Sequence, residues 1–272
     1  MKYTTKKLKI PSDDTEIKLL ILSHTDSVPN NNRPGILWIH GGGYITGMPE
    51  MIYMSRAKNL VKKYGAVVIS PDYRLSGKAP YPAALHDCHH ALLYLKEHAK
   101  ELGVRDDQIM VGGESAGGGL TAALCMYEKD HAGVKIAFQM PLYPMIDNED
   151  TETSRNNHAP VWNTKRNHYG WKKYLQGICN QEIPCYAAPA KRQDYTELPP
   201  AYTFVCTAEP FYAETLTYID NLHKAGVEAS VDVYPKLFHA FDMLLPFLKV
   251  SRQAAVQFEK HFEYAVENYF SA

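Results

Sequence analysis

Apolar positions recur along the chain in two rhythms. Tyr3–Ile10 and Glu16–Leu22 read as short strands with a Pro-Ser-Asp-Asp turn between them. Asn30-Asn31-Asn32-Arg33-Pro34-Gly35 reads as a turn cluster. Ile36-Leu37-Trp38-Ile39 is apolar at every position, as a central strand covered on both faces must be. Ala66–Ile69, Gln108–Val111, Ile136–Leu142, Tyr202–Cys206 and Ala229–Tyr234 read as further strands. Met51–Tyr64, Pro82–Leu102, Leu120–Lys129, Phe211–Ala225 and Lys249–Tyr269 read as helices between them. In Pro82–Leu102 the apolar residues Ala84, Leu85, Cys88, Ala91, Leu92 and Leu95 fall at helical spacing, after a proline that suits a first turn.

Apolar strands alternating with amphipathic helices predict an α/β fold: a mostly parallel central sheet with helices on both faces. Asp147–Pro200 breaks the rhythm. It has no buried-strand signal, is rich in Asn, Pro, Tyr and Trp, and is too long for a bare loop. The expectation is a single domain over residues 1–272, with residues 147–200 inserted as a small, partly helical cap over one edge of the sheet. Trp162, Tyr169, Trp171 and Tyr174 of that insertion either line an aromatic pocket or bury the cap on the sheet.

Charge and cysteine content narrow the function classes. The 272 residues carry 29 Lys and Arg against 30 Asp and Glu, a formal net charge of −1. That balance removes the electrostatic drive of a dedicated nucleic-acid or anionic-membrane binder. The 5 cysteines (Cys88, Cys125, Cys179, Cys185, Cys206) are odd in number and scattered, without a Cys-x-x-Cys, which argues against a disulfide framework and a zinc site. The first residues lack the apolar core of a signal peptide, and no stretch approaches about 18 consecutive apolar residues. A soluble, cytoplasmic chain with no membrane and no nucleic-acid partner is expected.

Two motifs carry chemistry. Gly113-Glu114-Ser115-Ala116-Gly117 follows the strand at Gln108–Val111 and precedes a helix. This is the sequence of a nucleophile elbow, where the chain reverses with serine at the apex and small flanking residues let backbone approach. The helix that follows adds positive potential near the serine. His40-Gly41-Gly42-Gly43-Tyr44 follows the strand at Ile36–Ile39. Acyl transfer builds negative charge on a carbonyl oxygen, and glycines let backbone N–H donors come close to it. The loop lacks the Lys-Ser/Thr of a phosphate-binding P-loop. Gly41-Gly42-Gly43-Tyr44-Ile45-Thr46 also misses the third glycine of a dinucleotide fingerprint.

A serine hydroxyl needs a base, and the base needs an orienting acid. His239, in Leu237-Phe238-His239-Ala240-Phe241 after the last strand, stands where a loop could return to Ser115. The acid is sought past the strand Tyr202–Cys206, where Glu209 is the first choice and Glu214, Asp232 and Asp242 are rivals. His86, His89, His90 and His98 lie on a predicted helix and read as surface or structural, although His86 and His90 have the spacing of a metal pair.

These motifs, together with Asp72-Tyr73-Arg74-Leu75, Tyr81–Cys88, Leu198-Pro199-Pro200-Ala201 and Tyr234–Phe241, resemble the hormone-sensitive-lipase-like branch of the α/β-hydrolases, bacterial carboxylesterases with a His-Gly-Gly-Gly loop. The resemblance runs from about Gly35 to Phe270. It implies an oxyanion hole from the N–H groups of Gly42, Gly43 and Ala116. It also implies supporting roles for His40 and Glu114, and a structural network of Asp72, Arg74 and Asp87. The family usually has aspartate where Glu209 stands, so one extra methylene must be accommodated here. Cleavage of short, acetyl-type esters of a small molecule by Ser115, His239 and Glu209 is expected, without cofactor or metal. An amide-cleaving relative and a non-catalytic small-molecule receptor are the alternatives. Members of the family occur as monomers and dimers, so a homodimer is compatible with the resemblance.

Overall fold

A computed structural model describes residues 3–25 and 32–271. Asn30 and Asn31 of the expected turn cluster lie outside the described residues. Eight strands form one sheet: β1 (Tyr3–Ser12), β2 (Thr15–His24), β3 (Arg33–Ile39), β4 (Val67–Pro71), β5 (Val104–Glu114), β6 (Phe138–Leu142), β7 (Ala201–Cys206) and β8 (Ala229–Tyr234). Their order is β1-β2-β4-β3-β5-β6-β7-β8. β1 and β2 form an antiparallel hairpin, and β2 joins β4 antiparallel. The pairings from β4 through β3 to β8 are parallel, as the alternation predicted.

The period-two geometry of the strands splits the core in two. Leu37, Ile39, Val67, Ile69, Ile109 and Val111 face one layer of helices. Ile36, Trp38, Val68 and Met110 face the other. The first layer contains α2 (Ala83–Glu97) and α4 (Ala116–Asp130), with α6 (Tyr212–Lys224) packed beside α4. The second contains α1 (Ala57–Tyr64) and α8 (Lys249–Asn268). Each aliphatic side chain fully withdrawn from water here contributes about 1.5–3 kcal/mol.

Three helices differ from their expected bounds for local reasons. Met51–Tyr64 resolves into a 3-10 turn at Pro49–Tyr53 and then α1. Ser55 separates them: its hydroxyl donates to Ile52 O at 3.0 Å and accepts from Ala57 N–H at 3.1 Å, so a side chain replaces helix hydrogen bonds. Pro82–Leu102 breaks at His98, whose Nδ1–H and backbone N–H both donate to Tyr94 O at 3.0 Å. A four-residue helix, α3 (Ala99–Leu102), follows and ends at Gly103 in the left-handed region. α4 begins at Ala116, directly on the elbow, several residues before the expected Leu120.

Between β6 and β7, residues 147–200 hold α5 (Thr164–Tyr174) and 3-10 turns at Gln176–Ile178 and Pro189–Lys191. Asn163 caps α5 by accepting from Arg166 N–H at 3.2 Å. This segment packs on the loops that follow β3 and β4, at the carboxyl ends of those strands. A Cβ placed on Gly170 of α5 would stand 2.9 Å from Gly43 O. Tyr81 N–H donates to Tyr174 O at 2.8 Å. A short helix that the pattern did not announce, α7 (Phe241–Leu244), follows β8. Among the described residues, no helix is long and apolar enough to cross a membrane.

Candidate active site

Ser115 stands between β5 and α4 at φ 59°, ψ −119°, a backbone state rarely adopted by a non-glycine residue. Hydrogen bonds hold it there. Its N–H donates to Leu142 O at 3.0 Å, and its carbonyl accepts from Gly119 N–H at 2.9 Å and Met145 N–H at 3.0 Å. Gly117 is required by close approach: a Cβ there would lie 2.1 Å from Ile39 O and 2.6 Å from His40 O. The His-Gly-Gly-Gly loop is thereby drawn onto the elbow, and a Cβ on Gly41 would lie 3.2 Å from Ser115 Cβ.

The loop turns sharply at Gly42, whose φ is 124° and whose carbonyl accepts from Ile45 N–H at 3.1 Å and Thr46 N–H at 3.0 Å. A side chain at Gly42 would meet Thr46 O at 2.0 Å. His40 shapes the same turn. Its Nδ1–H donates to Gly41 O at 2.8 Å, and its ring stacks on Tyr73 at 4.1 Å. Burial lowers its pKa to about 4, so the ring stays neutral and can hold this bond near neutral pH.

The loops after β7 and β8 deliver the other two side chains. They are bonded to each other: Thr207 N–H donates to Tyr234 O at 3.1 Å and Ala208 N–H to Leu237 O at 3.2 Å. Ser115 Oγ–H donates to His239 Nε2 at 2.8 Å. His239 Nδ1–H donates to Glu209 Oε2. Glu209 Oε1 accepts from Cys206 N–H at 2.8 Å, so both carboxylate oxygens are engaged. Ser115 is 6 % exposed, His239 3 % and Glu209 0 %. The three side chains chosen from sequence therefore meet in one hydrogen-bonded line.

The rival acids are committed elsewhere. Glu214 is buried, and its Oε1 accepts from Ile146 N–H at 2.8 Å and Asp147 N–H at 3.2 Å, where the insertion leaves the sheet. Asp232 accepts from Tyr202 OH at 2.8 Å. Asp242 accepts from Arg56 Nε at 3.0 Å, which ties α7, just past His239, to the start of α1. That Arg56–Asp242 pair steadies the histidine loop, and no motif pointed to it. His86 Nδ1 faces Asp13 at 3.3 Å and His90 Nδ1–H donates to His86 O at 2.8 Å. Among the described residues, no group of three or more His, Cys, Asp and Glu could hold a metal ion. Arg74 and Asp87 pair through several hydrogen bonds of 2.9–3.1 Å that fix α2 to the chain after β4.

Glu114, beside the serine, points away from it into the second core layer. Its Oε2 accepts from Trp38 Nε1–H at 2.9 Å. Burial, reinforced by the Asp242 charge, pushes its pKa up to about 8, so at pH 7 it is mostly a neutral acid. Aromatic rings wall the imidazole: Tyr143 at 5.0 Å, Phe211 at 5.1 Å and Trp162 at 6.4 Å between centroids. The four cap aromatics divide. Trp171 and Tyr174 are buried against Tyr44, with Tyr174 stacked on it at 4.0 Å, and dock the cap. Tyr169 faces solvent. Trp162 alone of the four lies over Gly43 and near His239.

Comparison with known proteins bears on the fold and the family. A family model described as alpha/beta hydrolase fold matches residues 36–243. The esterase LipI of Mycobacterium tuberculosis is 30% identical over 210 residues, which cover 76% of this chain and 65% of that protein. An arylesterase of Saccharolobus solfataricus is 28% identical over 255 residues, 93% of this chain and 80% of that one. Among solved structures, a bacterial heroin esterase superimposes with a TM-score of 0.88 at 30% identity, covering 97% of this chain and 83% of that chain. The esterase of the archaeon Pyrobaculum calidifontis gives 0.84 at 27% identity, covering 97% and 84%. The chain belongs to the α/β-hydrolase fold family, on the hormone-sensitive-lipase-like carboxylesterase branch that its two glycine motifs implied.

Proposed function

We propose that this chain is a serine carboxylesterase that cleaves short-chain, acetyl-type esters of small molecules through an acyl-enzyme. The observation that carries the reading is the unbroken line from Ser115 Oγ to His239 Nε2, and from His239 Nδ1 to Glu209, beside the His-Gly-Gly-Gly loop. His239 takes the Ser115 proton as Oγ attacks the ester carbonyl carbon. The carbonyl π electrons move onto oxygen, and the N–H groups of Gly42, Gly43 and Ala116 stabilise that charge. Glu209 fixes the imidazole tautomer and balances the imidazolium. The tetrahedral centre collapses, the C–O bond to the alcohol breaks, and His239 gives its proton to the leaving oxygen. Water then attacks the acyl-enzyme by the same path, releasing the acid and restoring Ser115.

The insertion at residues 147–200 acts in this reading as the roof of a one-domain enzyme. The closeness of its Trp162 and Gly170 to Gly43, and of Trp162 to His239, supports short substrates over long-chain triglycerides. The test is a series of p-nitrophenyl esters of increasing acyl length, run beside anilides of the same acids. Hydrolysis that is fastest on acetate and abolished in Ser115→Ala supports the reading. Faster cleavage of the anilides would make the chain an amidase. Absence of turnover on every ester would overturn the esterase assignment.

A further inference from the structure

We propose that Trp162 sets the acyl-chain limit of this site: its indole stands where the acyl arm of the ester must run. The inference rests on the esterase reading and deepens it. A Cβ on Gly43 would lie 2.1 Å from the outer edge of the indole, so the ring rests on the oxyanion loop itself. Its centroid is 6.4 Å from the His239 ring and 6.5 Å from Phe211. The same edge of the indole packs toward Gly170 of α5, beside Gly43. Its Nε1–H donates to Asn167 Oδ1 at 3.3 Å.

The chemistry of the tetrahedral centre assigns the directions. The carbonyl oxygen points at the loop amides, and the alcohol oxygen lies on the imidazole side because His239 must protonate it. The acyl substituent takes the remaining direction, which we assign to the Gly43 side, where the indole edge stands.

The chain spends conformational energy to put the ring there. Trp162 N–H donates to Pro160 O at 2.8 Å across Val161, whose φ is 70°. This is a γ-turn with a β-branched residue in the left-handed region, a combination that persists only where surroundings enforce it. The surroundings are on the page. Thr164 N–H donates to Asn157 O at 3.2 Å, Thr164 Oγ1–H to Ser154 O at 2.5 Å, and Asn157 Nδ2–H to Ala208 O at 3.1 Å, next to Glu209. The turn that aims the indole is thus tied to the loop that carries the acid.

The experiment compares kcat/KM of the wild type, Trp162→Ala and Trp162→Leu on two series: p-nitrophenyl acetate to octanoate, and methyl to hexyl acetate. Each methylene newly accommodated is worth about fourfold. The hexanoate-to-acetate ratio is therefore expected to rise at least about tenfold in Trp162→Ala. Trp162→Leu, which keeps an apolar contact for Phe211 and serves if the alanine variant does not fold, is expected to shift the ratio part of the way. The alkyl acetate order should stay as in wild type. An unchanged acyl profile in folded variants, or a gain confined to the alkyl acetates, overturns this inference and leaves the esterase reading standing. A wild type that hydrolyses no ester overturns the esterase reading instead.

Discussion

Ser115 and Trp162 both border His239, and they are held by different means. Ser115 is fixed by main-chain bonds to Leu142, Gly119 and Met145, and by glycines that tolerate no Cβ. Trp162 is fixed by side chains of an irregular segment: Asn157, Thr164 and Asn167 by hydrogen bonds, with Trp171 and Tyr174 docking the helix behind it. The floor holds the Ser115 side chain in one place because its main-chain bonds and close-packed glycines leave little alternative. The roof is a set of side-chain contacts, so it can change shape without unmaking the fold. On this contrast, substitutions in the floor should abolish chemistry, whereas those in the roof should change selectivity or stability.

The sharpest break of the contrast comes from Ser115→Ala. Turnover should fall by about 10⁴-fold or more, with the melting temperature unchanged, as read by ester hydrolysis and thermal denaturation. Residual activity close to wild type would mean that the elbow is not the reacting centre. Glu209→Ala follows, with kcat expected to fall by about 10³–10⁴-fold, against a small effect for Asp232→Ala, whose carboxylate serves Tyr202. The reverse order would reassign the acid. Gly42→Ala places a methyl group against Thr46 O and moves the loop amides, so a loss of about 10²–10³ in kcat is expected.

On the roof, Tyr174→Ala should cost about 3 kcal/mol in urea unfolding, because the ring is buried and stacked on Tyr44. A cost below about 1 kcal/mol would show that the cap is not docked by this ring. The most gradual effect, per pH unit, concerns Glu114. Folding raises its pKa from 4.5 to about 8, so between those values the folded chain holds a proton that the unfolded chain has released. Stability from this group therefore falls as pH rises from about 4.5 and levels off above about 8, by at most about 1.4 kcal/mol per pH unit. Glu114→Gln, which mimics the neutral acid, should flatten that slope. A slope unchanged in the variant would place the titration elsewhere.

The floor was legible in the sequence because its constraints are local. Apolar runs such as Ile36–Ile39 and Ile109–Val111 mark buried strands, and glycines at Gly42 and Gly117 mark places where no Cβ fits. Ser115, His239 and Glu209 could be picked by chain order because each follows a strand end on the same side of a parallel sheet. Of the roof, only its place in the chain and its cap-like character were legible. Residues 147–200 carry no period, and whether Trp162 or Trp171 faces the site depends on contacts with residues more than a hundred positions away, such as Tyr44 and Gly43. The Arg56–Asp242 pair, 186 residues apart, escaped for the same reason. The splits at Ser55 and His98 arise from hydrogen bonds made by one side chain each, which a hydrophobic pattern does not register.

The account stands or falls on whether the Ser115 hydroxyl is activated by His239. Its most direct test is reaction with an alkyl fluorophosphonate, followed by intact-mass and peptide mass spectrometry of the wild type, Ser115→Ala and His239→Ala. One phosphonyl group per chain, on the peptide carrying Ser115, absent in the first variant and strongly slowed in the second, is the predicted result. An unlabelled wild type, or an adduct on another residue, would contradict it.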